Sequence, residues 1–432
     1  VETIFALSTA PGKAGVAVIR VSGPLAASAV LHLTDRPLPK PRTAMLRNMC
    51  DGEGALIDRG LVLWFPAPHS FTGEDCAEFQ VHGGRAVVAA LLDTLAALPG
   101  LRLAQPGEFT RRAFYNERFD LTEIEGLADV IEAETASQLR LAQQQAGGVL
   151  ARRIEEWRTS LVRILAYLEA ELDFPDEDLP GGLSAAMAEE IGALIAAMED
   201  VLKDAVQGER LRDGFSVAII GAPNAGKSSL LNALVARDVA IVSSIPGTTR
   251  DIVEAHLDLG GYPVILADTA GLRETADAVE SEGIRRALAR AESADLRLVV
   301  TDAADPAPTP AVEGESINIF NKIDVFGTGA VPPGALAVST KTGEGIAALK
   351  ARLLAWVRSR AEGAVPPLIA RERQRTALAE ARAALDASLQ SQSLDLAAEN
   401  VREAVRALGR LTGRVDPEDL LDVIFRDFCI GK

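Results

Sequence analysis

The chain has 432 residues, 48% of them hydrophobic, and a formal charge of −17. Its length allows two to four domains with sizeable cores, and its composition excludes a disordered or fibrous chain. The acidic balance repels polyanions at long range, so a nucleic-acid partner must be argued from local features.

In chain order, residues 1 to 118 read as an α/β unit. Val16 to Val21, Leu61 to Phe65 and Glu78 to Val81 are short apolar runs that predict strands, the last ending at Gly83-Gly84. Val87, Val88, Leu91, Leu92 and Leu95 recur at helical spacing over Arg85 to Leu98. Pro37, Pro39 and Pro41 mark one loop, and Pro66 and Pro68 another. Residues 119 to 213 turn helical, with stripes at Ile124, Leu127 and Ile131 and then from Ile154 through Trp157, Leu161, Ile164, Leu165 and Leu168. Breaks fall at Pro175, Pro180 and Gly181-Gly182. Residues 214 to 360 alternate β runs with helices, and 361 to 432 are helical again. The fold class is therefore α/β plus α, with an α/β module inserted into a helical domain.

Three cysteines, Cys50, Cys76 and Cys429, lack metal-ligand spacing; a reducing cytoplasm fits better than a disulfide framework. No run has the eighteen or more apolar residues of a membrane span, and nothing basic precedes the first apolar residues as in a signal peptide.

The inserted module carries the clearest chemistry. An apolar strand, Phe215 to Ile220, feeds into Gly221-Ala222-Pro223-Asn224-Ala225-Gly226-Lys227-Ser228-Ser229, and a helix follows. This is the phosphate-loop context: backbone N–H groups turn inward around phosphate oxygens, and the helix N-terminus favours their charge. Lys227 is assigned to the β- and γ-phosphates and the Ser228 hydroxyl to Mg²⁺. Asn321-Lys322-Ile323-Asp324 selects guanine, because one carboxylate accepts both N1–H and the 2-amino group. Ser339-Thr340-Lys341 supplies the remaining base contacts. Thr249, in Gly247-Thr248-Thr249-Arg250-Asp251, is a second candidate Mg²⁺ ligand. Asp268-Thr269-Ala270-Gly271 faces the γ-phosphate, with Asp268 holding Mg²⁺ through water. Leu272 stands where Ras-like switches place a water-orienting Gln, so another group must act. Arg273, Glu274, Asp277, Glu280 and Glu282 are the nearby polar candidates, and spacing does not choose among them. A cation other than Mg²⁺, with the Asn224 side-chain oxygen as one ligand, could supply positive charge.

These segments, together with Pro106-Gly107-Glu108-Phe109-Thr110-Arg111-Arg112-Ala113-Phe114, Ser70-Phe71-Thr72-Gly73-Glu74-Asp75 and the terminal Cys429-Ile430-Gly431-Lys432, resemble the MnmE (TrmE) family of tRNA modification GTPases. The resemblance spans essentially the whole chain. It implies a Ras-like G domain inserted in the helical domain, and an N-terminal domain that binds folate and mediates homodimerisation. It further implies K⁺ in place of an arginine finger, with Asn224, Ser243, Ile245 and Thr248 at the ligand positions, and Glu280 orienting the attacking water. Arg20, Glu78, Arg118 and Lys432 match positions that contact a tetrahydrofolate derivative (5,10-methylene or 5-formyl). Arg118 stands where Lys is common, which keeps the charge but changes its geometry. Cys429 matches the family's motif cysteine. The implied product is a carboxymethylaminomethyl or aminomethyl group on C5 of the wobble uridine of certain tRNAs, made with the FAD-dependent partner MnmG (GidA). A GTP-regulated RNA or ribosome assembly factor would share the G domain but not the N-terminal domain or the Cys-Ile-Gly-Lys tail.

Overall fold

The computed structural model describes residues 2–173, 185–235, 240–241, 254–268, 289–306, 313–327, 331–361, 366–415 and Gly431. The chain falls into two compact units, one of residues 1–128, 151–160 and 405–432, the other of 129–150 and 161–404.

The first unit is built on a six-stranded sheet in the order β3-β4-β5-β2-β1-β6. Its strands are β1 (Thr3–Leu7), β2 (Ala14–Ser22), β3 (Met45–Cys50), β4 (Leu56–Phe65), β5 (Cys76–Gly83) and β6 (Leu101–Leu103). Neighbours are antiparallel except β1 and β6. Alternation decides the faces. Ile19, Val21, Val62, Phe79 and Val81 point to one side and form a core with Leu33 of α1 (Ala26–Thr34) and Leu91 and Leu95 of α2 (Arg85–Ala96). On the other side Ile4 and Ala6 meet Ala104 and Phe109, the latter from α3 (Glu108–Tyr115). The strands predicted at residues 16–21, 61–65 and 78–81 are the centres of β2, β4 and β5. β1, β3 and β6 lie outside the predicted strands: β1 holds the short apolar run Ile4 to Leu7, β6 has three residues, and β3 is interrupted by Arg47 and Asn48.

In the second unit, α5 (Ala136–Ala146) starts at a capping box: Gln138 N–H donates to the Thr135 hydroxyl at 3.4 Å, and Thr135 N–H to Gln138 Oε1 at 3.0 Å. Asp129, at the end of α4 (Leu121–Glu132), accepts from Arg212 at 2.9 Å and Arg371 at 2.7 Å. Arg212 lies in α8 (Ala205–Asp213), and Arg371 is the N-cap of the helix Glu372–Leu389. The two chain segments that flank the inserted module are thus tied to one carboxylate. The module itself is a seven-stranded sheet, β13-β12-β11-β7-β10-β9-β8, whose outer strands are β13 (Leu336–Ala337) and β8 (Ala240–Ile241). The strands used below are β7 (Phe215–Gly221), β9 (Glu254–Leu259), β10 (Tyr262–Asp268), β11 (Leu296–Asp302) and β12 (Ser316–Asn321). β10, β7, β11 and β12 run parallel, and β9 is antiparallel to β10. Val217, Ala218 and Ile219 of central β7 are wholly buried, as a strand covered on both faces requires. Because β7 has β10 on one side and β11 on the other, its carboxyl end is a topological switch point, where open α/β sheets bind ligands.

Candidate functional site

The loop leaving β7 turns at Asn224 (φ 63°) and Gly226 (φ 96°) before α9 (Lys227–Val235) begins. A Cβ at Gly226 would lie 2.2 Å from Nδ2 of Asn321, so both its backbone angle and its neighbour demand glycine. Lys227 is buried, and its ammonium donates to the carbonyls of Gly221 and Ala222 at 2.9 Å each, which holds it at the mouth of the loop. Ala225 is buried, whereas Asn224, Ser228 and Ser229 are exposed. Hydroxyls in the first turn of α9 thus face solvent beside the helix N-terminus, a setting that fits a hard cation and an anion together.

The guanine-reading segments are fastened to this loop. Asn321 ends β12 and is 1% exposed; its Nδ2 donates to the Ala225 carbonyl at 2.9 Å and its Oδ1 accepts from Thr340 N–H at 3.2 Å. One amide therefore clamps the phosphate loop to the Ser339-Thr340-Lys341 turn. Its amide donates and accepts inside the protein, so its place is structural. The Ser339 hydroxyl, wholly buried, donates to Asp324 Oδ1 at 2.7 Å and accepts from Thr342 N–H at 3.1 Å. That aims the exposed Asp324 carboxylate. Lys322, at φ 67°, pairs with Asp302 at 2.6 Å, which fixes the lysine stem. Burial works to raise the Asp302 carboxyl, but the hydrogen bonds from Lys322 and Ala304 N–H hold it below the ordinary carboxylate range. Asp302 was missed from the sequence; its signal was an acid closing the apolar strand β11, level with Asn321 in the parallel register. The backbone of Asp268 pairs with Ile219 of β7, alongside the phosphate loop. Ser243, Ile245, Thr248, Thr249, Thr269, Ala270, Gly271 and Glu280 lie outside the described residues.

In the first unit Arg20 and Glu78 face each other across β2 and β5, with the guanidinium Nε and Nη2 both donating to Oε1 at 3.0 and 2.9 Å. The guanidinium lies 5.1 Å from the ring centre of Phe71 and 5.8 Å from that of Phe109. Each side chain of the pair is 19% exposed, enough to be reached by a ligand. Beside it, Glu74 accepts from Ser22 at 2.7 Å and from Arg112 at 3.0 Å, while Arg112 and Arg102 both donate to Glu108. Burial works to raise the Glu108 carboxyl, but bonds from Arg102, Gln105 N–H and Arg112 hold it below its usual range. The quoted motif Gly107-Glu108-Phe109-Thr110-Arg111-Arg112 is thus spent on this ionic network and on Phe109. None of Phe71, Glu74, Phe109 or Arg112 was singled out as a site residue, because their partners lie tens of residues away. Arg118 is exposed and packs its Cγ and Cδ against Gly73 of the Ser-Phe-Thr-Gly-Glu-Asp segment.

The carboxyl-terminal tail reaches the same unit. Ser8 Oγ donates to the Gly431 carbonyl at 3.0 Å, and a Cβ at Gly431 (φ 102°) would meet the Leu7 carbonyl oxygen at 2.2 Å. Only glycine allows this approach. Ser8 N–H bonds Val18 O, two residues from Arg20 on β2, so Gly431 lies beside the strand that carries Arg20. Cys429 and Lys432 lie outside the described residues.

Two family models match the chain: the N-terminus of the GTP-binding protein TrmE over residues 3–118 and the MnmE helical domain over residues 121–429. Relatives described as tRNA modification GTPase MnmE include those of Parvibaculum lavamentivorans, 55% identical, Rhodospirillum rubrum, 54%, and Paramagnetospirillum magneticum, 52%. In each case 100% of both chains is covered. Among solved structures, the G domain of the T. maritima FeoB iron transporter aligns at 25% identity over 34% of this chain and 99% of that one, with a TM-score of 0.25, and carries no further weight.

Proposed function

The chain belongs to the MnmE family of tRNA modification GTPases, and from that premise we propose that it is a K⁺-stimulated GTP hydrolase that drives a folate-dependent modification of the wobble uridine. As a GTPase acting in tRNA modification it needs a guanine-selective phosphate site. The observation that carries the mechanistic reading is the Asn321 amide joining the Ala225 carbonyl to Thr340 N–H, which makes phosphate grip and base recognition one rigid body.

In this reading Lys227 shifts from the Gly221 and Ala222 carbonyls to the β- and γ-phosphates, and Asp324 accepts the two guanine donors. Asn224 to Ser229, Lys322, Ser339, Thr340 and Lys341 complete the nucleotide contacts, with Asp268 to Gly271 on the γ-phosphate side. Ser228 and Thr249 would hold Mg²⁺, and Asn224, Ser243, Ile245 and Thr248 would hold K⁺; these ions supply positive charge where it develops on the phosphates. Glu280 orients the attacking water, the task that Leu272 cannot perform. The domains divide at 118/119, 213/214 and 360/361.

Arg20, Glu78, Arg118 and Lys432 take up the folate. The Arg20–Glu78 pair, flanked by two phenyl rings, offers a carboxylate to the donor edge of a pterin and a cation to a glutamate tail. Cys429 comes to that site on the tail that Ser8 and Gly431 dock. A homodimer with the FAD-dependent MnmG (GidA) subunit in the cytoplasm completes the assembly; this chain supplies no flavin fingerprint of its own. Among the described residues no helix is long and apolar enough to cross a membrane.

GTP turnover in K⁺ against Na⁺ tests the cation: faster turnover in K⁺ is expected, and equal rates sink the assignment. Glu280→Ala is expected to abolish turnover while nucleotide binding persists. Titration with 5-formyltetrahydrofolate tests the N-terminal site, where Arg20→Ala is expected to weaken binding at least about tenfold, the loss of one charge-assisted contact.

A further inference from the structure

The outer edge of the first unit's sheet carries charge opposite to that of the chain. Residues 36 to 47 contain Arg36, Lys40, Arg42 and Arg47 and no acid, in a chain of net charge −17. Arg36, Lys40 and Arg42 are exposed. Arg59, on β4 opposite Asn48 of edge strand β3, is exposed as well. Among the described residues none of these five cations is paired with a carboxylate. Of the acids flanking this stretch, Asp58 binds His82 and its N–H and Asp51 binds the N–H groups of Glu53 and Ala55; Asp35, beside Arg36, caps α1 through its backbone N–H and forms no ion pair with these cations among the described residues.

Two of the five cations are held in place. Arg47 Nη1 donates to the Thr34 hydroxyl at 3.3 Å and to the Arg36 carbonyl at 3.5 Å, and Arg42 Nη2 donates to the His69 carbonyl. Pro37, Pro39 and Pro41 stiffen the connecting loop, and buried Pro39 anchors it beneath exposed Lys40. Burial lowers the Arg47 guanidinium, and the nearby Arg36 charge adds to that. Stiff, uncompensated cations suit a polyanion, because little side-chain entropy is lost on contact and counterions are released.

We propose that this edge, formed by Arg36, Lys40, Arg42, Arg47 and Arg59, is a docking surface for the phosphate backbone of the tRNA substrate. Arg42 sits in a turn (φ 59°) before β3 and Arg47 on the strand itself, so the cations line the edge and the loop that leads into it. Strand β5, which carries Glu78, lies two strands inward, about 10 Å away at ordinary strand spacing. Arg47 lies on the α1 face of the sheet and the Arg20–Glu78 pair on the other, so the edge positions the RNA and does not itself deliver a base to that pair. The contacts position the RNA without reading its sequence. The surface rests on the tRNA-modifying activity of the family, and only its distance to Glu78 rests on the folate reading.

The test is binding of an unmodified tRNA transcript to the full chain, followed by fluorescence anisotropy across a salt series. In the Arg36→Gln, Lys40→Gln double variant, affinity is expected to fall about tenfold or more, with the slope of log K against log salt reduced by about 1.5. Arg140→Gln and Arg352→Gln, at exposed arginines elsewhere, should leave both quantities unchanged. Circular dichroism melting of the double variant, expected to match the parent, separates lost contacts from lost fold. Unchanged affinity and slope in the double variant overturn the proposal, as does an equal loss in the two control variants. Loss of binding to an acidic protein partner with tRNA binding intact also overturns it and assigns the edge to that partner. Folate titration of the same double variant is a separate readout: a failure there touches the folate site and leaves the edge standing.

Discussion

The nucleotide site and the Arg20–Glu78 site hold their functional groups by different means. Around the phosphate loop neutral hydrogen bonds to backbone, linking Asn321 to Ala225 and Thr340 and Ser339 to Thr342, join the two base-side segments to the loop. Lys227 and the Lys322–Asp302 pair add charged contacts. In the first unit the fastenings are ionic: the Arg20–Glu78 pair, and beside it a chain from Glu74 through Arg112 and Glu108 to Arg102. Neutral clamps fix geometry while leaving the field of a bound triphosphate to the few charges meant for it. Ionic networks fix geometry too, but their strength depends on pH and on every member staying charged.

The comparison breaks most visibly at Asp324. Asp324→Asn keeps the Oδ1 acceptor for Ser339 but turns an amide N–H₂ toward the guanine donors. GTP affinity is expected to fall by about two to four orders of magnitude, from two lost charge-assisted hydrogen bonds. Xanthosine triphosphate, with an oxygen in place of the 2-amino group, should regain much of the loss. Competition between the two nucleotides measures this; equal losses for both would show that Asp324 does not read the base.

Asn321→Ala comes next. It leaves the Ala225 carbonyl and Thr340 N–H without a partner in a buried place, which is expected to lower stability by about 2–3 kcal/mol. Guanidinium unfolding of the nucleotide-free protein reads that loss directly. A purely base-directed asparagine would lower GTP affinity and leave the unfolding midpoint unchanged.

A smaller effect is expected from the ionic side. Arg20→Ala leaves Glu78 without its partner, and because both side chains retain 19% exposure the loss is expected at about 1–2 kcal/mol, below that of a fully buried pair. The double variant Arg20→Ala, Glu78→Ala should be less destabilised than the sum of the single variants. Additive effects would mean that the pair is not coupled.

How much of this was legible in the sequence follows the same division. The phosphate loop, the Asn321 to Asp324 segment and the Ser339 turn are local, so residue order alone marks them. The predicted strands β2 and β4 hold short apolar runs and β5 alternates ahead of Gly83-Gly84, whereas edge strand β3 is exposed at Met45, Leu46 and Asn48 and so lacks alternation. The ionic network joins Glu74 to Arg112 and Arg20 to Glu78 across 38 and 58 residues, and no spacing rule connects them. Gly431 is the clearest intermediate case. Its motif was visible as a resemblance, but the reason for glycine appears only when the tail lies against the Leu7 carbonyl.

The smallest expected effect separates the two kinds of fastening by pH. Glu108 has a folded-state pKa below its ordinary value of 4.5, despite burial, because Arg102, Gln105 N–H and Arg112 favour the charged form. Its contribution to stability is therefore present above about pH 4.5 and is lost as pH falls through the lower folded value. Asp120 is the counterexample in the same unit: burial raises it above 3.8, although Thr122 and Glu123 N–H bond its carboxylate. Its charged form costs stability above the raised value, and that cost is relieved as pH falls through it. Glu108→Gln is accordingly expected to flatten the acid limb of the stability curve, and Asp120→Asn, which keeps the Oδ1 acceptor, to steepen it. Urea midpoints measured between about pH 3 and pH 7 decide the matter, and shifts of the same sign in the two variants would contradict the assignment of opposite roles.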